Sequence, residues 1–359
     1  MPRPGTRAVA VAVVGLVLAA LLAAVVLVLV VGVPFGLGRS DLARAVADAP
    51  AGTERASWTD WDGVRATLGS DVDERSDADE LRSFLDEAYD ADLSSRSALL
   101  QSAPALQTSF GFSPASVEWE LFSQSADGAV ITVRMPDGTD FDDLADRLTE
   151  LGYAPPDSDD EVWVGGPDLL AALSANLTPE LGYVVLDRDE HLVLASDQQP
   201  YLESAVRAAT GEDDGAEGLD QVTEALGEPL SAAVSTGEYA CGALAMGQAD
   251  ADDQAQAAEL VAAAGTVDPY LAFAMGVRPE GDVRVALEFA DDDQARVNAD
   301  SRSVLATGPA VGQGGDFADR FALRSASADG TVVVLDLDPV TGAYVLSDLS
   351  TGPVLFATC

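Results

Sequence analysis

The sequence predicts an α+β protein in which an N-terminal transmembrane helix is followed by an exported region of antiparallel hairpins and helices. Three observations carry this prediction. An uncharged run of 26 residues lies near the N-terminus at 8–33, segments of helical period then alternate with paired strand-like segments, and the order hairpin, helix, hairpin, helix occurs twice. The hydrophobic content of 48% favours a packed core despite a net charge of −42.

The apolar run at residues 8–33 has the length of a membrane span. As a helix it would measure about 39 Å, compared with about 30 Å for the hydrocarbon of a bilayer. Two arginines precede the run, and the first acidic residue is Asp41. The positive-inside rule therefore places residues 1–7 in the cytoplasm and the rest of the chain outside. The sequence thus predicts a single-pass protein of the cell membrane.

A cleaved signal peptide is the alternative to this anchor. Ala45-Val46-Ala47 matches the small-residue pattern of cleavage sites. That motif lies well beyond the end of the apolar run, and the run itself is longer than a typical cleavable segment. An uncleaved signal-anchor is therefore favoured.

The remainder of the chain divides by composition and pattern. Residues 34–56 are rich in Gly, Pro and small polar residues, which predicts a stalk. A first α+β half with a helical start is predicted at 57–210, an acidic connection at 211–229, and a second α+β half at 230–359.

The first half begins with helices and continues with strands. The Thr59 to Asp62 and Ser76 to Asp79 spacings predict two helix starts, and the first helix is expected to end at Gly69. An Asp-Gly pair predicts a hairpin turn at 125–128. The later elements are a hairpin at 117–135, a helix at 141–151, strands at 183–187 and 192–196, and a helix at 201–209.

The second half repeats this order at an offset of about 150 residues. Its expected elements are an Ala-rich helix at 249–264, a hairpin at 271–289, a helix at 292–306, a hairpin at 321–337 and a helix at 343–349. The tetrapeptide Ser-Ala-Asp-Gly, found at 125–128, recurs at 327–330, where a turn is also predicted. The shared order predicts an internal duplication. The alternative is two unrelated α+β halves in which hairpins recur.

Both cysteines of the chain, Cys241 and Cys359, follow the anchor. In an oxidising compartment two cysteines most simply form a disulfide, which would pin the last residue of the chain. The alternative is a reactive thiol at Cys241 with His191 nearby. The sequence favours the disulfide, which would close the second half.

Composition excludes several classes of function. With 61 acidic and 19 basic residues, the chain lacks the cationic surface of a nucleic-acid binder. All basic residues are Arg, which rules out lysine-dependent chemistry such as a Walker loop or a Schiff base. The one histidine, His191, leaves no two-His metal site and has no G-x-S-x-G nucleophile to serve. Its polar surroundings predict a hairpin turn.

Acidic clusters are candidate Ca²⁺ sites, because Ca²⁺ takes oxygen ligands. None has the spacing of an EF-hand loop, so solvated surface is the favoured interpretation and a divalent cation the weaker one. The tryptophans Trp58 and Trp61 are expected to pack in the core rather than to stack on a sugar ring. The clusters lie at 157–161, 212–214, 250–253 and 291–293.

Three segments carry a resemblance: SWTDWDGVR at 57–65, YACGALAMGQADADDQ at 239–254 and SDLSTGPVLFATC at 347–359. With the Lys-free, Ala-, Asp- and Arg-rich composition, they resemble stretches of membrane-anchored extracytoplasmic proteins of high-GC Gram-positive, actinobacterial type. The resemblance implies an anchored exported domain. It implies no activity and supplies no catalytic residues.

From these observations we expect a membrane-anchored extracytoplasmic protein that binds a ligand, a protein or another envelope component, without catalysis or a cofactor. One alternative is an envelope hydrolase using paired carboxylates. Another is an accessory or sensor subunit, whose seven cytoplasmic residues would require a partner in the membrane. Carboxylates that converge in a cleft lined by Trp58, Trp61 or His191 would favour the hydrolase.

Overall fold

The computed structural model describes residues 39–156, 158 and 161–359. Within them, Ser40–Cys359 forms one compact unit built of helices and a large antiparallel sheet, which confirms the α+β class. The predicted transmembrane helix at 8–33 and the tail at 1–7 lie outside the described residues. Among the helices that are described, none is both long and apolar enough to cross a bilayer.

A single antiparallel sheet of eleven strands runs through the described part of the chain, in the order β10-β11-β9-β8-β7-β1-β2-β3-β6-β5-β4. The strands are β1 Arg55–Asp60, β2 Trp119–Gln124, β3 Ala129–Arg134, β4 Trp163–Val164, β5 Tyr183–Asp187, β6 Leu192–Ser196, β7 Ser231–Thr236, β8 Ala272–Val277, β9 Val283–Glu288, β10 Phe321–Asp329 and β11 Val332–Pro339.

Twelve α-helices, counted over the described residues, cover the two faces of this sheet. They are α1 Asp41–Ala47, α2 Trp61–Leu68, α3 Ala78–Asp90, α4 Ala103–Ala105, α5 Phe141–Leu151, α6 Gly166–Leu173, α7 Gln199–Ala209, α8 Asp220–Leu226, α9 Gly237–Leu244, α10 Ala251–Ala264, α11 Asp292–Leu305 and α12 Val345–Leu349. Helices α1, α7 and α8 pack on what we call the back face, and the larger core cluster covers the front face.

In the central strands, the alternation of residue types along the sequence determines which side chains lie on each face of the sheet. Successive side chains of a strand point to opposite sides, so Ala56 and Trp58 of β1 enter the back core while Ser57 and Thr59 face the front. Strand β7 alternates in the same way, with Ala232 and other apolar residues at the back and small residues at the front. Small side chains therefore dominate the front face at the middle of the sheet.

The strand order is the same in both directions from this middle. Outward from β1 it reads β1, β2, β3, β6, β5, and outward from β7 it reads β7, β8, β9, β11, β10. The backbone bonds also correspond: Asp60 N donates to Leu230 O at 2.8 Å, and Thr236 N donates to Glu54 O at 2.9 Å. Strands β1 and β7 pair antiparallel from Arg55 opposite Ser235 to Thr59 opposite Ser231. A pseudo-two-fold axis therefore passes between them.

Helix α1 lies within the stretch where the sequence predicts a stalk. Its Leu42 and Val46 are buried and pack, with Val222 and Leu226 of α8, in the back core. The low complexity at 34–56 is typical of an exposed linker, but from residue 41 onward the apolar side chains are spaced to bury one side of a short helix. Those residues belong to the folded unit.

Two predicted helix starts and one predicted turn are wrong in detail. Strand β1 continues through Thr59, and Asp60 caps α2 by accepting a bond from Gly63 N at 2.9 Å. Asp77 caps α3 in a capping box with Glu80. Strand β10 continues to Asp329, which pairs with Val332, so the last hairpin turns two residues later than predicted, at Gly330 and Thr331, and Gly330 has a φ of 55°.

The C-terminus is fixed by two interactions. Cys241 on α9 and Cys359 form a disulfide with Cα atoms 5.7 Å apart, which confirms the predicted pairing. Beside it the buried guanidinium of Arg302 donates to Phe356 O at 2.7 Å and to Thr358 O at 3.0 Å. The last segment is therefore held on the front side of the second half.

Candidate functional site

A pocket of about 110 Å³, here called the central pocket, opens on the front face beside the pseudo-two-fold axis. Ser57 of β1 and its cross-strand partner Ala233 of β7 lie in its floor. Side chains from both halves complete it: Arg55, Arg96 and Gln124 from the first, and Ser235, Tyr239, Ala240, Ala243, Leu244, Phe273, Ser350 and Thr351 from the second.

Arg96 lies in the loop that follows α3 and reaches across to the second half. Its Nη1 donates to Ser350 Oγ at 2.8 Å, while its Nε is buried and bonds to no described residue. Burial lowers the pKa of Arg96, and the nearby charge of Arg55 lowers it further. Arg96 thus lines the pocket and carries a buried donor that has no protein partner among the described residues.

Arg55 supplies a second positive charge to the same pocket. Its Nη1 donates to the hydroxyl of Tyr239, and its guanidinium carbon lies 4.9 Å from the centre of the Tyr239 ring. Among the described residues, no carboxylate comes within 4.0 Å of the guanidinium of Arg55 or Arg96. Asp92, whose charge acts on Arg96, accepts bonds from Leu346 N at 2.7 Å and Ser347 N at 3.2 Å.

Three more buried hydroxyl groups lie outside the pocket lining, each two residues along the chain from a lining residue. Thr59 Oγ1 and Ser231 Oγ are cross-strand partners in β1 and β7, and neither bonds to a described residue. Ser94 Oγ, in the loop that carries Arg96, is buried and unpartnered in the same way. Since buried polar groups are normally hydrogen-bonded, this concentration marks the centre of the sheet as unusual.

Glu120 of β2 fixes the loop that carries Arg96. The side chain is 1% exposed; its Oε1 accepts from Ala98 N at 2.8 Å and its Oε2 from Trp61 Nε1 at 3.0 Å. Burial raises the pKa of Glu120 to about 7, although these donors act in the opposite direction. The position of Arg96 therefore depends on a buried carboxyl group that titrates near neutral pH.

A second cavity, here called the polar cleft, lies on the back face and measures about 250 Å³. Four carboxylates line it, together with two arginines: Asp41, Asp48, Glu118, Glu190, Arg44 and Arg134. Arg134 lies 3.7 Å from a carboxylate oxygen of Glu118, and Arg44 pairs with Asp41. Burial raises the pKa of Glu118, and Arg134 opposes that rise. Trp58, Trp61 and His191 do not line this cleft.

The aromatic and histidine candidates have structural roles. Trp58 donates from Nε1 to Pro229 O at 3.0 Å and packs against Trp119 with ring centres 5.0 Å apart, whereas Trp61 is buried on the opposite face. This confirms packing as their role. His191 lies in the β5–β6 turn with a φ of 51° and packs edge-on against Phe141, which confirms the predicted turn.

Two of the acidic clusters serve helix starts, whereas Asp213 of the cluster at 212–214 pairs with Arg207 after the end of α7. Asp250 and Asp291 accept backbone bonds at the N-termini of α10 and α11. Over the described residues, no group of three or more His, Cys, Asp or Glu side chains is arranged to hold a metal ion. Asp157, Asp159 and Asp160 of the first cluster lie outside the described residues.

The arginines of the central pocket were not identified from the sequence. Arg55, Arg96 and Tyr239 lie far apart in the chain, and no spacing motif connects them. No local signal distinguishes them: Glu54 directly precedes Arg55, and the Ser-Arg-Ser surroundings of Arg96 recur at Arg302.

Two solved structures align with this chain at low similarity. Crystal form I of TP0453 aligns with a TM-score of 0.38 and 8% identity over 88% of this chain and 98% of that chain. Crystal form III of TP0453 aligns with a TM-score of 0.36 and 8% identity over 85% of this chain and 97% of that chain. No protein-family model matches the chain, and no curated protein matches it.

Proposed function

We propose that this chain is an extracytoplasmic binding protein, held in the membrane by residues 8–33, whose ligand enters the central pocket. The observation that supports this proposal is the composition of the pocket. Arginine, hydroxyl and amide groups converge there from both halves, and its lining contains no His, Cys, Asp or Glu that would serve a hydroxyl as a base. Such a lining suits recognition of a ligand rather than its chemical conversion.

The two halves are proposed to be duplicated copies of one unit. The matching strand order outward from β1 and β7 supports this, as do the corresponding bonds from Asp60 N and Thr236 N. In addition, each of these strands passes directly into a helix capped by its own last residue. A ligand pocket beside the axis is then a consequence of joining the two copies through their first strands.

The binding proposal is tested by native mass spectrometry of the full-length chain, extracted from its own membrane in mild detergent. We expect a small molecule to co-purify with the wild-type protein. Ala243→Trp fills the central pocket from α9 and should remove that molecule. Ala255→Trp, which places the same side chain on the exposed side of α10, is the matched control and should retain it. Absence of any bound molecule, or its retention by Ala243→Trp, would refute the proposal.

The hydrolase alternative would place its chemistry in the polar cleft, where four carboxylates converge. Glu118 would act as the acid because its pKa is raised. Under that alternative, Glu118→Gln abolishes hydrolysis of a glycan from the cell envelope by the purified chain, while Ala243→Trp leaves it unchanged. Under the binding proposal, the wild-type chain releases no product in the same assay.

A further inference from the structure

We infer that the central pocket binds a phosphate group, held between Arg55 and Arg96. This inference rests on the proposed function, since it names the chemical class of the ligand for the same pocket. Three observations support it: the positive charge of the pocket, donors that have no protein partner, and a lining that is polar on one side and apolar on the other.

The charge of the central pocket is opposite to that of the whole chain. Acidic residues outnumber basic ones by 61 to 19 overall, yet the pocket lining contains two arginines and no acid. Most other arginines of the described region pair with a carboxylate, as Arg82 does with Asp79 at 2.7 Å. The two guanidinium groups repel one another, while Asp92, the acid whose charge acts on Arg96, lies outside the lining and is engaged by Leu346 N and Ser347 N. A bound anion would offset that repulsion.

The unpaired donors have the geometry that anion recognition requires. A guanidinium presents several N–H groups in a planar fork that matches the oxygen atoms of phosphate and carboxylate. Arg96 uses Nη1 for Ser350 and leaves its buried Nε unpartnered. Ser57, Ser235 and Thr351 add hydroxyl groups to the lining. An anion between the two arginines would therefore satisfy donors that the protein leaves open.

Charge balance favours phosphate over carboxylate. A phosphate monoester or inorganic phosphate carries a charge of about −1.5 to −2 at pH 7, close to that of the two arginines with opposite sign. A carboxylate would neutralise only one of them. The opposite wall of the pocket is apolar and includes Ala240, Ala243, Leu244 and Phe273, so an organic part of the ligand would lie there. A free phosphate ester and a phospholipid headgroup both offer this chemistry.

The experiment is isothermal titration of the full-length chain, in phosphatidylcholine nanodiscs, with inorganic phosphate and with acetate. We expect saturable binding of phosphate and at least tenfold weaker binding of acetate. Arg96→Gln and Arg55→Gln should each weaken phosphate binding by about tenfold or more, because each removes a charge-assisted bond. Arg82→Gln, on the exposed side of α3, is the matched control and should bind phosphate like the wild type.

The source of the phosphate is distinguished in a second arm, in which phosphatidic acid is added to the nanodiscs. Suppression of phosphate binding by that lipid supports a headgroup as the ligand, and unchanged binding supports a soluble phosphate. Absence of phosphate binding, or equal binding by the wild type, Arg96→Gln and Arg55→Gln, would overturn the inference. Because Arg55 is exposed, its variant separates loss of binding from loss of folding. If an uncharged molecule co-purifies and Ala243→Trp removes it, this inference fails while the proposed function stands.

Discussion

Replacing Glu120 with Gln should change how the stability of the protein depends on pH. The pKa of Glu120 is raised from 4.5 to about 7 by burial, so the folded protein retains this proton where the unfolded chain has lost it. The stability that the group contributes is fully present below pH 4.5 and declines as the pH rises to about 7. A shift of this size corresponds to about 3 kcal/mol. The amide in Glu120→Gln does not titrate, so the variant should gain about 3 kcal/mol relative to the wild type between about pH 4 and pH 8.

The assay is urea unfolding of both proteins across this range, followed by tryptophan fluorescence, to which Trp61 beside Glu120 contributes. Gln keeps one accepting oxygen, and its NH2 group cannot accept from the other of the two donors, Ala98 N and Trp61 Nε1. That lost bond lowers stability equally at every pH, so the part of the difference that changes with pH reports ionisation. Glu87→Gln, at an exposed position of α3, reports how the assay itself varies with pH. A difference in unfolding free energy between Glu120→Gln and the wild type that stays constant across this pH range would refute the reasoning.

Three further predictions concern the two ends of the chain. Cys359→Ser opens a loop with a sequence separation of 118 residues and should lower the unfolding free energy by about 2–5 kcal/mol in urea titrations. Two free thiols at Cys241 and Cys359, seen by non-reducing mass spectrometry, would contradict this. Arg302→Met leaves the carbonyl groups of Phe356 and Thr358 without this donor and should lower the unfolding free energy by about 2–4 kcal/mol in the same titrations. An unchanged urea midpoint would contradict this prediction. The intact mass of the membrane-bound protein should include residues 8–33, whereas a chain that begins after Ala47 would show cleavage.

The hairpins and long helices were predictable because each has a strong local pattern. The α5 helix agrees at both ends, since Leu144 and Leu148 repeat at helical spacing and Gly152 follows as a left-handed cap with a φ of 100°. The disulfide was predictable from the count of two cysteines together with the predicted compartment. In these cases the information lies within a few residues or in the composition of the chain.

The two central strands were not predictable from local pattern. Strand β1 carries Trp58 and Thr59 next to an acid, which also fits the start of a helix, and β7 is a run of small residues without clear alternation. Both are strands because they pair with each other and with β2 and β8, which is a tertiary effect. The central pocket was missed for the same reason. Its floor exists only after these two strands meet.

The proposed duplication has a consequence for the central pocket. Asp60 and Thr236 occupy corresponding positions, so Arg55, five residues before Asp60, corresponds to Ser231, five residues before Thr236. Two identical copies would present every group twice across the axis. Here the first half contributes both charges, while the corresponding position of the second half bears a buried hydroxyl group. The two halves therefore differ at this position beside the axis, and the lining distinguishes the two sides of the axis. A ligand held there would have a single preferred orientation, which a symmetric pair of copies would not impose.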